Sequence, residues 1–303
     1  MKVFPSFPDA RKKQPLDPKQ HTQEIRELQR AALGHRQMLL DLGHKHGIRL
    51  HYGAMMSMVE IVTFLYLYWM KLKPGQPQWP ERDRFVLSKG HGAPSLYAAL
   101  QMAGFIDQSS FENFRRLGSI LQGHPDRKKT PGVECSTGSL GQGFPVACGI
   151  ALASKLDGAS YRVYVLLSDG ECNEGSVWEA VQITSNLAVD TITALVDWNG
   201  KSSYGEMKGR NDIEPFAEKW KAFNWNVKEC DGHDFVSLSR ALHETEQKKG
   251  KPSVILCHTV KGKGIPYAET YHTRSNFFLE PEHYREAMEK LAVQEKEIAD
   301  ECI

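Results

Sequence analysis

The sequence predicts an α/β fold with a mostly parallel sheet and helices on both faces. Three observations carry that expectation. Short apolar runs rich in β-branched and aromatic residues alternate with helix-patterned stretches along most of the chain. Most of those runs end in a turn or loop that contains glycine. The stretch Tyr161–Gly205 reads as strand, loop, helix, strand and loop. Its two strands must be joined by a right-handed crossover, so they lie parallel and open their C-terminal ends on one edge.

Residues 1–20 are polar and rich in Pro and Lys, and read as an N-terminal arm, with residues 21–303 as one domain. Glu24–Gly47 has Ile25, Leu28, Ala32, Met38, Leu39 and Leu42 at helical spacing. Ala54–Leu72 reads as a second, more buried helix ended by Pro74-Gly75. Arg84–Leu87 is a short strand entering Ser88-Lys89-Gly90-His91-Gly92, and Pro94–Ala103 is a helix with Pro in its first turn. Ser109 or Ser110 is expected to cap another short helix. Gly118–Gly138 is a long loop, a length that points to binding. Gly138–Leu156 begins glycine-rich and becomes a helix whose small residues permit close approach of a neighbour. In the central unit the strands are Tyr161–Leu167 and Thr191–Val196, and the helix is Ser176–Leu187. Asn224–Cys230 and Ser253–His258 read as strands, and Phe235–Lys248 as a helix. A loop then runs to about Asn276, before a charged helix over Pro281–Ile298.

The chain has 303 residues and a formal net charge of +1, which argues against nucleic acid as the main partner. Its most apolar run, Ile61–Met70, is too short to span a bilayer, and the N-terminus has no secretory pattern. The six cysteines lack paired short spacing and read as reduced thiols of a cytoplasmic protein, not as a zinc site or disulfide framework.

Asp169 and Asn199 fall at the two strand ends of the central unit, on the edge where open α/β sheets bind ligands. With the Lys201 carbonyl they offer three hard oxygen donors for an octahedral cation completed by a diphosphate and water. Asp169-Gly170 and Asn199-Gly200 also suit ordinary turns, and the residues alone leave both readings open. Ser136–Gly143 (STGSLGQG) is a glycine-rich loop before a helix, able to bring N–H groups close to a phosphate or a ring, or to make a tight turn. It matches neither the nucleoside triphosphate nor the dinucleotide pattern. His51, His91, His124 and His272 lie in loops, where a histidine is a donor, a proton shuttle or a solvated residue. Glu174 and Glu179 suit a helix first turn.

In order, LSKGHGAPSLYAAL, GHPD, STGSLGQG, SDGECNEGSVWEA, DWNG and TVKGKG resemble the transketolases, over about residues 24–276. The resemblance is to the N-terminal, diphosphate-binding domain alone, as in the two-subunit transketolases. It implies a thiamine diphosphate-binding fold, with Mg²⁺ held by Asp169, Asn199 and the Lys201 carbonyl. It implies that Gly170 and His91 meet the diphosphate, that Asn199 serves cofactor as well as metal, and that Gly138 and Leu140 border the aminopyrimidine. His51, His124 and His272 would surround the reacting carbons as catalytic residues. Glu174 and Glu179 match acids that couple two active sites across a dimer interface.

The resemblance further implies transfer of a two-carbon ketol unit from a ketose, phosphorylated or otherwise acidic, to an aldose. The cofactor-activating glutamate of the family belongs to the pyrimidine domain, and no residue of this chain matches it. A second subunit with the pyrimidine and C-terminal domains is therefore expected, in a heterotetramer of two copies of each chain. Two departures stand out: Ser168 replaces the first glycine of Gly-Asp-Gly, and Tyr52 follows His51 where proline is usual. Tyr52 is expected to stiffen or narrow the entrance. The rival readings are a 2-oxoacid dehydrogenase E1-type subunit, a deoxyxylulose-phosphate synthase and a non-catalytic binding subunit.

Overall fold

The computed structural model describes residues 14–203, 205–270 and 276–300. Its seven strands are β1 (Arg84–Leu87), β2 (Val163–Ser168), β3 (Ile192–Trp198), β4 (Lys201–Ser202), β5 (Gly205–Glu206), β6 (Asn226–Asp231) and β7 (Ser253–His258). Five of them form a sheet in the order β1-β2-β3-β7-β6, and every pairing in it is parallel. The two-residue strands β4 and β5 make a separate antiparallel hairpin.

The helices are α1 (Thr22–His46), α2 (Tyr52–Met56), α3 (Val59–Phe64), α4 (Ala93–Met102), α5 (Gln108–Glu112), α6 (Gly143–Leu156), α7 (Gly175–Asn186), α8 (Phe216–Ala222), α9 (Phe235–Gln247), α10 (Pro266–Thr270) and α11 (Pro281–Asp300). Alternation along the buried strands divides the core in two. Tyr164, Leu166, Leu195, Ile255 and Cys257 join a cluster with residues of α1, α3, α4 and α9. Val163, Val165, Leu167, Ile192, Ala194 and Val196 join the other, with residues of α6, α7 and α8. Successive side chains of a strand point to opposite faces, so one sheet serves both cores.

The strand order explains why the helices divide as they do. The crossover from β2 to β3 steps one way along the sheet and that from β6 to β7 steps back. Right-handed crossovers running in opposite directions place α7 and α9 on opposite faces. After β3 the chain turns toward Ile213 and Phe216 of the second core, and after β7 toward Ile265 and Ala268 of the first. A crevice opens where neighbouring strands send their connections apart, and the functional loops gather there.

Several expectations need correction. The single helix over Ala54–Leu72 is broken into α2, α3 and a π-helical turn at Leu65–Trp69. All of these residues from Tyr52 to Trp69 are buried, so an apolar run that is hydrophobic on every side gives no phase from which to see the break. Asp107, not a serine, caps α5: its Oδ1 accepts from Ser110 N at 2.7 Å and from Ser109 Oγ at 2.9 Å. The stretch read as loop up to Asn276 contains α10, and α8 and the β4–β5 hairpin were not foreseen. Leu16, within the expected arm, is buried, and its N–H donates to Ser239 Oγ at 2.8 Å.

Candidate active site

Three loops from strand ends meet at the crevice. The segment after β1 is Ser88-Lys89-Gly90-His91, that after β2 begins at Asp169, and that after β3 holds Asn199 and Lys201. Beneath them lies a buried ion pair that sequence reasoning missed. Lys89 and Asp197 are both fully buried and in direct contact. Asp197 also accepts from Ser57 Oγ at 2.5 Å and from the Thr259 hydroxyl, and Lys89 Nζ donates to Ala54 O at 2.8 Å. Burial pushes the Asp197 carboxyl up, but Lys89 and the two hydroxyls outweigh it and hold the group below the usual carboxylate range. One pair thereby locks the ends of β1, β3 and β7 to α2.

A second carboxylate ties the loops above. Glu171 is buried and accepts from Ser88 Oγ at 2.5 Å, Gly141 N at 2.9 Å and Ser168 N at 3.3 Å. Its own N–H donates to Ser168 Oγ at 3.2 Å, so the serine at this position helps close the short 3₁₀ turn of Gly170–Asn173. Gly141 has φ +77°, and Gly90 and Gly143 touch other backbone: a Cβ on Gly90 would lie 2.8 Å from Gly138 N, and one on Gly143 2.8 Å from Ser88 Cα. The glycines of KGHG and STGSLGQG are thus used against each other as well as toward the crevice.

Asp169 is 1 % exposed, with Oδ1 accepting from Gly170 N at 2.7 Å and Oδ2 from Gly200 N at 2.6 Å. Burial, with Asp197 nearby, pushes its carboxyl up to about 7. Asn199 Oδ1 accepts from Lys201 N at 3.1 Å. The Lys201 carbonyl, with that of Ser202, accepts from Lys261 Nζ, at 3.0 and 2.7 Å. Burial holds Lys261 down to about 8 although Asp169 pulls it up. Its side chain crosses Gly53, where a Cβ would meet Lys261 Cε at 2.9 Å.

This donor set fits a divalent cation on a diphosphate. A buried carboxylate whose ionisation is opposed needs a cation, and one carboxylate, one amide oxygen and one carbonyl leave coordination positions for phosphate oxygens and water. Among the described residues no cluster of three His, Cys, Asp or Glu side chains forms a metal site, so a cation here would depend on that mixed set. Gly170 has open space around its α-carbon, while its N–H is engaged by Asp169.

The histidines converge in part. His51 and His91 stand edge to face, with ring centroids 5.3 Å apart. Burial, then Lys89, holds His91 down to about 3, and burial, then His124, lowers His51. His124 packs on Gly138, whose Cβ would lie 3.2 Å from His124 Cδ2, and its carbonyl accepts from Tyr97 Oη at 3.0 Å. Gly138 and Leu140 are both half-buried. His272 lies outside the described residues. Glu174 is exposed, and Glu179 lines a 390 Å³ groove between α6 and α7.

Tyr52 does not narrow the entrance. Its ring is fully buried, tilted on Phe277 at 5.0 Å, and its hydroxyl lies where a Cβ on Gly43 would be, 1.6 Å away. It fastens α2 to α1 instead.

The neutral buried histidines set a pH response. His35 is fully buried, holds Thr63 Oγ1 at 2.9 Å and Ser95 Oγ at 3.0 Å, and is held down to about 3 by burial and then Arg36. Below its unfolded value near 6.5 the unfolded chain takes up a proton that the folded chain refuses. Stability is therefore lost as pH falls from about 6.5 toward 3. Moving from pH about 7.5 to about 5.0 should remove about 2 kcal/mol through His35, and His91 acts in the same direction. Urea unfolding at both pH values should show that loss, and His35→Asn should reduce it; an unchanged pH response in the variant refutes the assignment.

Residues 30–299 match the family "Transketolase, thiamine diphosphate binding domain". The chain is 39 % identical over 265 residues to the 6-deoxy-6-sulfo-D-fructose transketolase subunit SqwG of Clostridium sp. (strain MSTE9), covering 88 % of this chain and 96 % of that protein. It is 40 % identical over 243 residues to an apulose-4-phosphate transketolase subunit from Actinobacillus succinogenes, covering 80 % and 88 %. The transketolase structure from Campylobacter jejuni superposes with a TM-score of 0.81 at 29 % identity, over 88 % of this chain but 42 % of that one. The chain thus spans nearly all of relatives named as subunits and less than half of that longer transketolase.

Proposed function

The chain belongs to the transketolase family, in its thiamine diphosphate-binding domain, and on that premise we propose that it is the cofactor-anchoring subunit of a two-chain transketolase. The observation that carries the reading is the buried Asp169 carboxylate beside Asn199 and Lys201, at a crevice roofed by glycine loops and neutral histidines. Asp169, Asn199 and the Lys201 carbonyl hold Mg²⁺. Gly170, His91 and Asn199 serve the diphosphate, and Gly138 and Leu140 the aminopyrimidine. Lys261, the third residue of TVKGKG, adds a half-buried positive charge at the same edge.

When bound, thiamine diphosphate supplies the chemistry that breaks and forms the carbon–carbon bond. The protein's own contribution is orientation and proton handling. The neutral imidazole of His51 is available to accept a proton from a substrate hydroxyl or to donate one, and the family resemblance assigns His124 and His272 to the same reacting carbons. Lys89 is fully buried and His91 half-buried at the diphosphate end, which limits water there.

The reaction we propose is transfer of a two-carbon ketol unit from a ketose to an aldose. The names of two relatives carry a sulfonated fructose and a phosphorylated apulose, which supports a donor or acceptor with an acidic group. That the chain spans most of relatives named as subunits supports a partner chain; on this reading that partner carries the pyrimidine and C-terminal domains and the pair assembles as a heterotetramer. Glu174 and Glu179 then belong to an interface between subunits, in the cytoplasm. Mixing the purified chain with such a partner, Mg²⁺ and thiamine diphosphate should produce ketol transfer that neither chain gives alone. Full turnover by this chain without a partner would sink the proposal.

A further inference from the structure

Behind the crevice lies a charged network that the reaction above leaves unused. Glu60 of α3 is buried and accepts from Arg36 Nη1 at 2.5 Å and Nη2 at 2.8 Å. Its Oε2 also meets His233 Nδ1 at 2.9 Å, while His233 Nε2 accepts from Val260 N at 2.8 Å. The second contact fixes the tautomer. A nitrogen that accepts has a free lone pair, so the ring proton is on Nδ1 and is donated to Glu60. Arg36 Nε donates to Lys263 O at 3.0 Å. The network therefore takes hold of the main chain at residues 260 and 263, on either side of Lys261.

Neither grip is part of the sheet. Val260 and Lys263 follow the last residue of β7; Lys263 N bonds back to Val260 O at 3.2 Å, but Val260 N and Lys263 O have no ladder partner. The alternatives are water or side chains. Gly262 N donates to Gly53 O at 3.0 Å, and Gly264 has φ +95° with a Cβ position 2.8 Å from Arg36 Cδ. Only a residue without a side chain lets Arg36 pass there. Within this held segment Lys261 spans Gly53 and reaches the carbonyls of Lys201 and Ser202.

We infer that Arg36, Glu60 and His233 are positioning residues that hold the Lys261 loop against the diphosphate-binding edge, with His233 fixing Val260. Which ligand Lys261 meets rests on the thiamine diphosphate reading; the grip itself does not. Arg36 already satisfies both carboxylate oxygens of Glu60. His233 extends that anchored charge to the backbone beside Lys261, and does so only in its neutral form, with one nitrogen donating and the other accepting.

His233→Asn keeps a donor near Glu60 but has no atom long enough to reach Val260. His233→Gln restores an acceptor at the outer position. Hydrogen exchange is measured on the full-length, cofactor-free chain, and thiamine diphosphate affinity with Mg²⁺ by calorimetry in the presence of the partner subunit. In His233→Asn the Val260 amide should exchange about tenfold faster, with Val254–Leu256 of β7 unchanged, and affinity should fall about tenfold. His233→Gln should recover most of both. Unchanged Val260 exchange in His233→Asn, an equal rise in β7, or equal affinities in the two variants would overturn the inference. If the unaltered chain together with its partner subunit binds no thiamine diphosphate, the functional reading falls, while exchange at Val260 still decides the grip.

Discussion

Asp169→Ala should abolish magnesium-dependent binding of thiamine diphosphate while leaving the chain folded. The carboxylate supplies the one formal negative charge among the three donors proposed for the metal, so its loss removes both a ligand and the charge balance. A weakening of at least about 100-fold is expected, in line with losing a charge-assisted contact to a desolvated cation. The folded chain should tolerate the change. Burial and Asp197 already oppose ionisation of Asp169, and its removal relieves that repulsion. The cost is the acceptor for the N–H groups of Gly170 and Gly200, which lie at a half-exposed edge. Calorimetry with Mg²⁺ and the cofactor, paired with urea unfolding, separates the two effects. Affinity within about threefold of the unaltered chain would refute the metal clamp.

Asp197→Ala should have the opposite profile, a large loss of stability. It leaves the Lys89 ammonium fully buried with Ala54 O as its remaining described acceptor, strands the Thr259 hydroxyl, and leaves Ser57 Oγ only its 3.3 Å bond to Ala54 O. Breaking one side of a buried pair costs about 3–5 kcal/mol. Removing both charges with Lys89→Met and Asp197→Leu should recover much of that loss, because neither charge is then left without its partner. The readout is the urea midpoint at fixed protein concentration with unchanged slope. A single variant costing under about 1 kcal/mol would show that Lys89 finds water or another anion.

The sheet was legible because its central strands are buried on both faces and bounded by turns. Ser253–His258 was placed to the residue, and β2 and β3 within two residues at each end. The path from Tyr52 to Trp69 was not, since uniform burial erases the periodicity that marks a helix and its breaks. Asp169, Asn199 and His91 were readable as residue types at strand ends, and His51 and His124 as loop histidines. The pairs beneath them were not. Lys89 and Lys261 look like solvated charges in sequence, and Asp197 like part of a turn. Only the parallel registers Leu87↔Leu166, Ser168↔Asp197 and Trp198↔His258 bring their segments together. SKGHG and TVKGKG each carried a signal in hindsight: a lysine set between glycine and small residues has little side-chain shielding of its own and must be stabilised from elsewhere.

Glu171 has a bearing on divergence as well as on geometry. One buried acceptor serves donors from three segments, the loops at Ser88 and Gly141 and the end of β2 at Ser168. A substitution in any of those segments that withdraws its donor strands a carboxylate the other two cannot fully satisfy. The loops proposed to meet the cofactor are therefore not free to drift one at a time. Variation at this site should come as linked changes across the three segments, with Glu171 as the residue through which each is felt by the others.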